Sequence, residues 1–139
     1  MGKPQKAQKT QTVQIMGFLY KEECYKILGA VFEVYRNKGC GFLDEVYQEC
    51  LEIELRNQTI PAVSKPHLEL EYKGQLLRKT YQPDLVCYGK IILELKACKA
   101  IDDVHKAQLQ NYLRATGMRV GYLVNFGSPH KATVIRIIL

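Results

Sequence analysis

Two charged residues interrupt the most apolar run of this chain, and the interruption limits what the run can form. Residues 91–97 are Ile-Ile-Leu-Glu-Leu-Lys-Ala. Side chains of a strand alternate between its two sides, so Glu94 and Lys96 would share one side while the residues at 91, 93, 95 and 97 face the other. Burying charge is costly unless the charge is paired or binds a metal ion. The run therefore predicts a strand whose charged side requires a partner.

A carboxylate ten residues earlier offers that partner. Asp84 follows Gln82-Pro83 and begins a second apolar segment, residues 84–88, which joins the first around Gly89. Asp84 and Glu94 face the same side only if paired residues have numbers that sum to an even value. A three-residue connection, Tyr88-Gly89-Lys90, satisfies this condition, whereas a two-residue turn does not. The hairpin register therefore decides whether the carboxylates meet.

If they meet, the set suits phosphodiester hydrolysis assisted by Mg²⁺ or Mn²⁺. Such ions prefer oxygen ligands, here Asp84, Glu94 and the backbone carbonyl of Leu95, and Lys96 would lie close to the attacking water. The alternative is that Asp84 merely follows a proline in a turn, while Glu94 and Lys96 form a solvated ion pair on a strand face. Spacing alone does not separate the two hypotheses.

Composition narrows the classes of protein to which the chain can belong. Its 139 residues, 47% of them hydrophobic, fit one domain with a core, and the net charge of +6 suits a polyanion such as DNA. We expect residues 1–16 to be a disordered basic tail and residues 17–139 the domain. No apolar run is long enough to cross a membrane, and the N-terminus lacks the apolar segment of a signal peptide, so a cytoplasmic protein is expected. Five widely spaced cysteines without a C-x-x-C pair argue against a zinc site.

Periodicity predicts helices first and strands later. Apolar residues at spacings of three and four mark helices over 21–36 and 43–57, and acidic residues near 102 open a third that ends near Gly117. Alternating or apolar runs predict the strands 68–72, 75–81, 84–88, 91–97, 120–125 and 132–138. The order indicates an α/β or α+β layered domain in which a meander of strands packs against helices.

Several motifs in series resemble one known family. The Asp84 and Glu94-Leu95-Lys96 pattern, with a proline before the aspartate, resembles the signature of the PD-(D/E)XK nuclease-like superfamily. More narrowly, the chain resembles the GxxExxY protein family, a bacterial branch of that superfamily, from about Leu19 to the C-terminus. The matching segments are Gly41-Phe42-Leu43-Asp44-Glu45-Val46-Tyr47, Leu93-Glu94-Leu95-Lys96-Ala97, His105-Lys106-Ala107-Gln108-Leu109, Tyr112-Leu113-Arg114 and Gly121-Tyr122-Leu123-Val124-Asn125-Phe126-Gly127.

The resemblance implies a restriction-endonuclease-like α/β fold, a central mixed β-sheet flanked by α-helices, and further site residues. Asp44 stands where the family has a glutamate and would add an acidic metal ligand, although Glu45 is an alternative and Asp44 also suits the first turn of a helix. Gln108 would hold a water or a phosphate oxygen and Tyr112 would contact the nucleic acid. Alternatively, Gln108 caps a sheet edge and Tyr112 belongs to the core.

Basic residues supply the remaining candidates. Arg78 and Lys79, just before Asp84, and Arg114 are predicted to face phosphates. The main hypothesis is a metal-dependent nuclease that acts on DNA. Two alternatives stay open: a nuclease-like fold that binds nucleic acid or protein without catalysis, and a homodimer that pairs through residues 134–139.

Overall fold

The structure is a computed structural model that describes residues 18–139. The disordered tail expected over residues 1–16 lies outside the described residues. Within these residues, three helices and seven strands follow one another: α1 (Lys21–Lys38), α2 (Asp44–Asn57), β1 (Ala62–Ser64), β2 (Glu71–Tyr72), β3 (Gln75–Leu76), β4 (Leu85–Cys87), β5 (Ile91–Lys96), α3 (Asp103–Thr116), β6 (Val120–Asn125) and β7 (Thr133–Ile138).

Five of the strands form one mixed sheet in the order β1-β4-β5-β6-β7. Strand β5 is central and pairs antiparallel with β4 and parallel with β6. Parallel neighbours need a crossover connection, and α3 supplies it between β5 and β6. The expected meander is therefore wrong at this point, whereas the mixed sheet that the resemblance implies is confirmed.

Alternation along the strands gives the sheet two apolar faces, each covered by helix. One hydrophobic cluster joins alternate residues of β5, such as Ile91, Leu93 and Leu95, to residues of α1 and α2. A second cluster joins Ile92 to Leu109 and other residues of α3. The chain thus forms three layers, with α1 and α2 on one face of the sheet and α3 on the other. The α/β class with a sheet flanked by helices is confirmed.

The helices begin and end close to the predicted residues because their ends carry clear signals. The first and second helices start at Lys21 and Asp44, within one residue of the expected positions, and Gly39 ends the first with a φ of 67°. Helix α3 begins with a capping box in which His105 N–H donates to Asp102 Oδ1 and Asp102 N–H donates to His105 Nδ1. His105 therefore stabilises the helix start through a carboxylate partner.

The two predicted strands over 68–72 and 75–81 are wrong in length. The structure has only the two-residue strands β2 and β3, which form a separate ribbon, and an isolated pairing of Leu68 with Tyr81. Leu77 N–H donates to the Leu70 carbonyl. Between the Leu70–Leu77 contact and the Leu68–Tyr81 pairing, the first strand segment has one intervening residue and the second has three. The numbers are unequal, so the ladder of hydrogen bonds cannot continue between the two pairings.

Strand β1 was not predicted from the sequence. It is three residues long and all three are exposed, so it has no alternation between apolar and polar residues. It forms because it pairs with β4, with Val63 opposite Val86, at one edge of the sheet. Pairing with a distant segment, rather than local pattern, defines this strand.

The five cysteines are free thiols, and Cys24 and Cys87 are the two that are buried. None of the helices within residues 18–139 has the length and apolar character required to cross a bilayer.

Gly127 gives a test of how the end of β5 is held. A Cβ atom added there would lie 2.7 Å from the Ala97 carbonyl carbon and closer still to backbone atoms of Cys98. We expect Gly127→Ala to lower the free energy of unfolding by about 1–3 kcal/mol, as overpacking does. The matched control is Gly29→Ala, because nothing lies within 4 Å of a Cβ at that exposed helix position. The control should be neutral or should gain up to about 1 kcal/mol. Equal denaturation midpoints for both variants would contradict this packing.

Candidate active site

The β4–β5 hairpin has the register that brings the two carboxylates together. Leu85 pairs with Leu93 and Cys87 pairs with Ile91, which leaves the three-residue connection Tyr88-Gly89-Lys90. Tyr88 and Gly89 take φ values of 55° and 68°, the left-handed conformation that closes this turn. Extending the register by one residue sets Asp84 opposite Glu94. The condition stated for the sequence is met.

Backbone amides hold both carboxylates at this end of the hairpin. Asp84 N–H donates to Glu94 Oε1 at 3.0 Å, and Leu95 N–H donates to Asp84 Oδ2 at 2.7 Å. Each carboxylate thus accepts a bond from the strand that carries the other. This reciprocal arrangement fixes both side chains, and Asp84 Oδ1 makes no hydrogen bond with any residue of the described part.

The electrostatics of the pair are unfavourable without a cation. Burial raises the pKa of Asp84 above its ordinary value, against the Leu95 hydrogen bond and the positive charges of Lys65 and Lys96. Burial is also the largest reason that the pKa of Glu94 is raised, and repulsion from Asp84 adds to it. Within residues 18–139, neither carboxylate has a Lys or Arg nitrogen within 4.0 Å. Two half-buried charges of one sign therefore lie side by side.

Lys96 is half-buried at the end of β5, on the same side as Glu94. Its charge is among the causes that lower the pKa of both carboxyl groups, so it lies near them. The solvated ion pair between Glu94 and Lys96 that the sequence left open is not formed. Lys96 is close enough to stabilise the carboxylates and far enough from them to act on another group.

Tyr81 supports the glutamate from the α3 side of the sheet, where it packs in the same hydrophobic cluster as Ile92. Its hydroxyl donates to Glu94 Oε2 at 2.9 Å, and its ring stacks on Tyr112 with the centroids 3.7 Å apart. Burial, and next the charge of Glu94, raise the pKa of Tyr81, so its hydroxyl keeps its proton and remains a donor. The core position considered for Tyr112 is therefore half correct: its ring packs against buried Tyr81 yet stays partly exposed.

Helix α2 approaches the carboxylates from the first layer. A cavity of about 50 Å³ is lined by Asp44, Glu45, Gln48, Lys65, Asp84 and Leu95. Asp44 is the first residue of α2 and is exposed, and its charge contributes to the raised pKa of Asp84. The predicted ligand residues Asp44, Asp84 and Leu95 line this cavity, whereas Glu94 does not line it and reaches the site through its contact with Asp84 N–H. The cavity is large enough for an ion with part of its hydration shell.

A larger, open cavity of about 370 Å³ lies beside Tyr81. It contains three residues predicted to meet nucleic acid or its phosphates, namely Lys79, Gln108 and Tyr112, together with His67, Thr80 and Gln82. Arg78 and Arg114 line neither cavity. Arg114 is exposed in the last turn of α3, where Nη1 donates to Asn111 Oδ1 at 3.3 Å. The structure therefore groups part of the predicted set and leaves two arginines on the surface.

The oxygen donors present fit a hard divalent cation held by few protein ligands. Among residues 18–139 no three His, Cys, Asp or Glu side chains are arranged to hold a metal ion. Mg²⁺ keeps several waters and binds with only one or two carboxylates, which Asp84 and Glu94 can supply. Among residues 18–139 neither carboxylate forms an ion pair within 4.0 Å, which leaves both free to bind such an ion.

Sequence patterns did not single out two residues of the site, Tyr81 and Gln48. Gln48 is 8% exposed, and its Nε2 lies 2.8 Å from the Asp84 carbonyl oxygen. A signal was present in the sequence: Gln48 lies one turn after Asp44 and beside buried Tyr47, which is an unusual place for an amide. Tyr81 is one of nine tyrosines, and no feature of the sequence around it marks it as a residue of the site.

Comparison with known proteins agrees with this geometry. The family model described as PD-(D/E)XK nuclease superfamily matches residues 21–137, so the chain belongs to that superfamily. Among solved structures, that of SSO0001 matches with a TM-score of 0.53 and 22% identity, over 68% of this chain and 48% of that chain. The protein described here thus spans about half the length of SSO0001, and the likeness concerns the fold. No curated protein matches the chain.

Protonation of the carboxylate pair gives a second test. A carboxyl group whose pKa is raised by folding binds its proton more tightly in the folded chain, so stability falls as pH rises above the ordinary values of 3.8 and 4.5. Glu94→Gln removes one of the two charges. In a buffer with a chelator, we expect this variant to melt above the wild type at pH 7, by about 3–4 °C for each kcal/mol gained, and the difference to vanish near pH 4.

The matched control for this test is Glu71→Gln on an exposed strand, which should leave the melting temperature unchanged at both pH values. A Glu94→Gln variant that melts below the wild type at pH 7 would mean that repulsion within the pair is not the dominant effect.

Proposed function

We propose that this chain is a metal-dependent nuclease that hydrolyses phosphodiester bonds, with DNA as the expected substrate, and that it belongs to the GxxExxY branch of its superfamily. One observation carries the proposal: Asp84 and Glu94 are held together by backbone amides, half-buried, with no ion-pair partner in the described part. Membership of a nuclease superfamily supports the class of reaction.

Each residue has a role in the proposed reaction. Asp84 and Glu94 would hold Mg²⁺ or Mn²⁺, and the Leu95 carbonyl is the proposed third ligand. When bound, the ion supplies polarisation of the phosphate and a lowered pKa of the attacking water. Lys96 orients that water and stabilises negative charge that develops on the phosphate oxygens. Tyr81 keeps Glu94 in place through its hydroxyl.

The open cavity on the α3 side is the proposed path of the nucleic acid. Lys79 provides a positive charge, Gln108 an amide that can bond a phosphate oxygen, and Tyr112 a ring edge beside Tyr81. The net charge of +6 attracts a polyanion toward this surface. Arg78 and Arg114 would act farther along the backbone of the nucleic acid. Strand β7 lies at an edge of the sheet and is the proposed contact if two copies pair.

A cleavage assay tests the activity directly. With Mg²⁺ or Mn²⁺, the wild type should cut at least one member of a panel of single-stranded, double-stranded and branched DNA and of RNA. Asp84→Ala and Glu94→Ala should each reduce the rate by on the order of 10²-fold or more, because each removes stabilisation of the transition state. Glu71→Ala, an exposed carboxylate outside both cavities, is the matched control and should cut at the wild-type rate.

Product that persists in the Glu94→Ala sample would indicate contamination rather than activity. Retention of nucleic acid that is sensitive to salt, unaffected by Asp84→Ala and never followed by cleavage would instead favour the binding module without catalysis.

Metal binding can be measured without substrate. An ion that binds only the folded chain raises its stability by mass action, by about 2.7 kcal/mol at a concentration one hundred times the dissociation constant. We expect Mg²⁺ to raise the melting temperature of the wild type and to leave that of Asp84→Ala unchanged. A flat response of the wild type up to high millimolar Mg²⁺ would contradict the site.

A further inference from the structure

Gln48 is a buried residue close to Asp84, and its amide side chain has not yet been given a role. It lies on α2, one turn after Asp44, with 8% of its surface exposed. Its side chain reaches from the helix to the start of β4 and to β1. A buried amide carries two donors and an acceptor, and all of them need partners.

The contacts of this amide fix which of its two ends faces the protein. Nε2 lies 2.8 Å from the Asp84 carbonyl oxygen, 3.0 Å from Glu52 Oε2 and 3.0 Å from Ser64 Oγ. A carbonyl and a carboxylate only accept hydrogen bonds, so the atom facing them must be the NH₂ group. Burial raises the pKa of Glu52, but hydrogen bonds from Ser64 and Gln48 outweigh it and leave this pKa below its ordinary value. Glu52 is therefore an ionised acceptor.

This orientation leaves the oxygen Oε1 as the atom that Gln48 offers elsewhere. Oε1 makes no hydrogen bond with any residue between 18 and 139. Gln48 lines the 50 Å³ cavity together with Asp84, Leu95 and Asp44. Among the described residues, Arg136 Nε is the one fully buried side-chain polar atom without a partner, so Gln48 Oε1 reaches the solvent-accessible surface of the cavity. This oxygen is therefore free to accept from water or to bind a cation that lies between Gln48 and Asp84.

We propose that Gln48 Oε1 is a neutral ligand of the divalent metal ion, in the position that Asp44 was predicted to fill. This proposal rests on the proposed function. Amide oxygens are ordinary ligands of hard cations. The bond from Nε2 to the backbone of Asp84 keeps the amide at a fixed place relative to that carboxylate, whereas Asp44 is exposed and short. The protein ligands then carry two negative charges, from Asp84 and Glu94, rather than three.

Titration of the full chain with Mn²⁺, followed by the paramagnetic resonance of the free ion, tests the assignment. Gln48→Leu should weaken Mn²⁺ binding about tenfold or more, since one ligand is lost. The control is Ser64→Ala, which should bind Mn²⁺ within about twofold of the wild type. Asp44→Asn removes a charge that lines the same cavity and should weaken binding less than Gln48→Leu does. Ser64→Ala removes a partner of Nε2 and leaves Oε1 in place, so it separates a ligand from a residue that only supports the structure.

Two further measurements distinguish the loss of a metal ligand in Gln48→Leu from poor folding of that variant. Water proton relaxation should show about one more water on the Mn²⁺ bound to Gln48→Leu than to the wild type, which loss of support alone would not produce. Gln48→Glu keeps the oxygen and adds a charge. This variant should bind Mn²⁺ more tightly than the wild type, although its carboxylate repels Glu52 and lowers the stability of the metal-free chain.

The outcomes separate the two proposals. Wild-type binding that Gln48→Leu leaves intact, or that Ser64→Ala weakens equally, would overturn the role of Gln48 and spare the nuclease site. Weakening by Asp44→Asn in place of Gln48→Leu would return the ligand role to Asp44. No Mn²⁺ binding by the wild type would overturn both the metal site and its proposed ligand.

Discussion

The rest of the site depends on two carboxylates, Asp84 and Glu94, that the β4–β5 hairpin holds side by side although their charges have the same sign. Burial raises the pKa of both Asp84 and Glu94, and repulsion from Asp84 adds to the raised pKa of Glu94. Each nevertheless accepts a backbone amide from the strand that carries the other. The sheet thus positions the two carboxylates without an ion pair within 4.0 Å among the described residues, which is the arrangement expected where a cation is to bind.

The two faces of the sheet are covered by different helices, so the residues around the end of β5 come from two layers. Alternate residues of β5 belong to different hydrophobic clusters, one packed under α1 and α2 and the other under α3. At the end of the strand, α2 contributes Gln48 to the cavity where a metal ion is proposed to bind, and α3 contributes Tyr112 to the cavity where nucleic acid is proposed to pass. The tight capping of α3 by Asp102 and His105 fixes the start of the helix that carries this second surface. In the proposed nuclease, the metal site and the path of the nucleic acid therefore meet opposite helical layers of one domain.

Local pattern was sufficient for the helices and for the inner strands. Apolar runs such as residues 91–97 and 120–125 have few alternatives to a buried strand. For Asp84 and Glu94 the sequence set only the condition under which they would meet, and the observed hairpin register satisfies it. The ribbon could not be predicted from alternation, because its break depends on unequal numbers of residues between pairings. Strand β1 lacked any pattern of its own. Gln48 was missed because the orientation of its amide depends on Glu52, Ser64 and Asp84, which are brought together only by folding.

The two-stranded ribbon of β2 and β3 is a part of the fold where the sequence can change in length without disturbing the core. Its strands pair only with each other, and its base, at Leu68 and Tyr81, adjoins the open cavity. The tip at Lys73-Gly74 belongs to neither hydrophobic cluster. Insertions or deletions there would leave core packing untouched while altering the shape of the arm that an incoming partner meets. In the proposed nuclease, changes in this ribbon would alter which substrates fit beside the open cavity without changing the residues at Asp84 and Glu94.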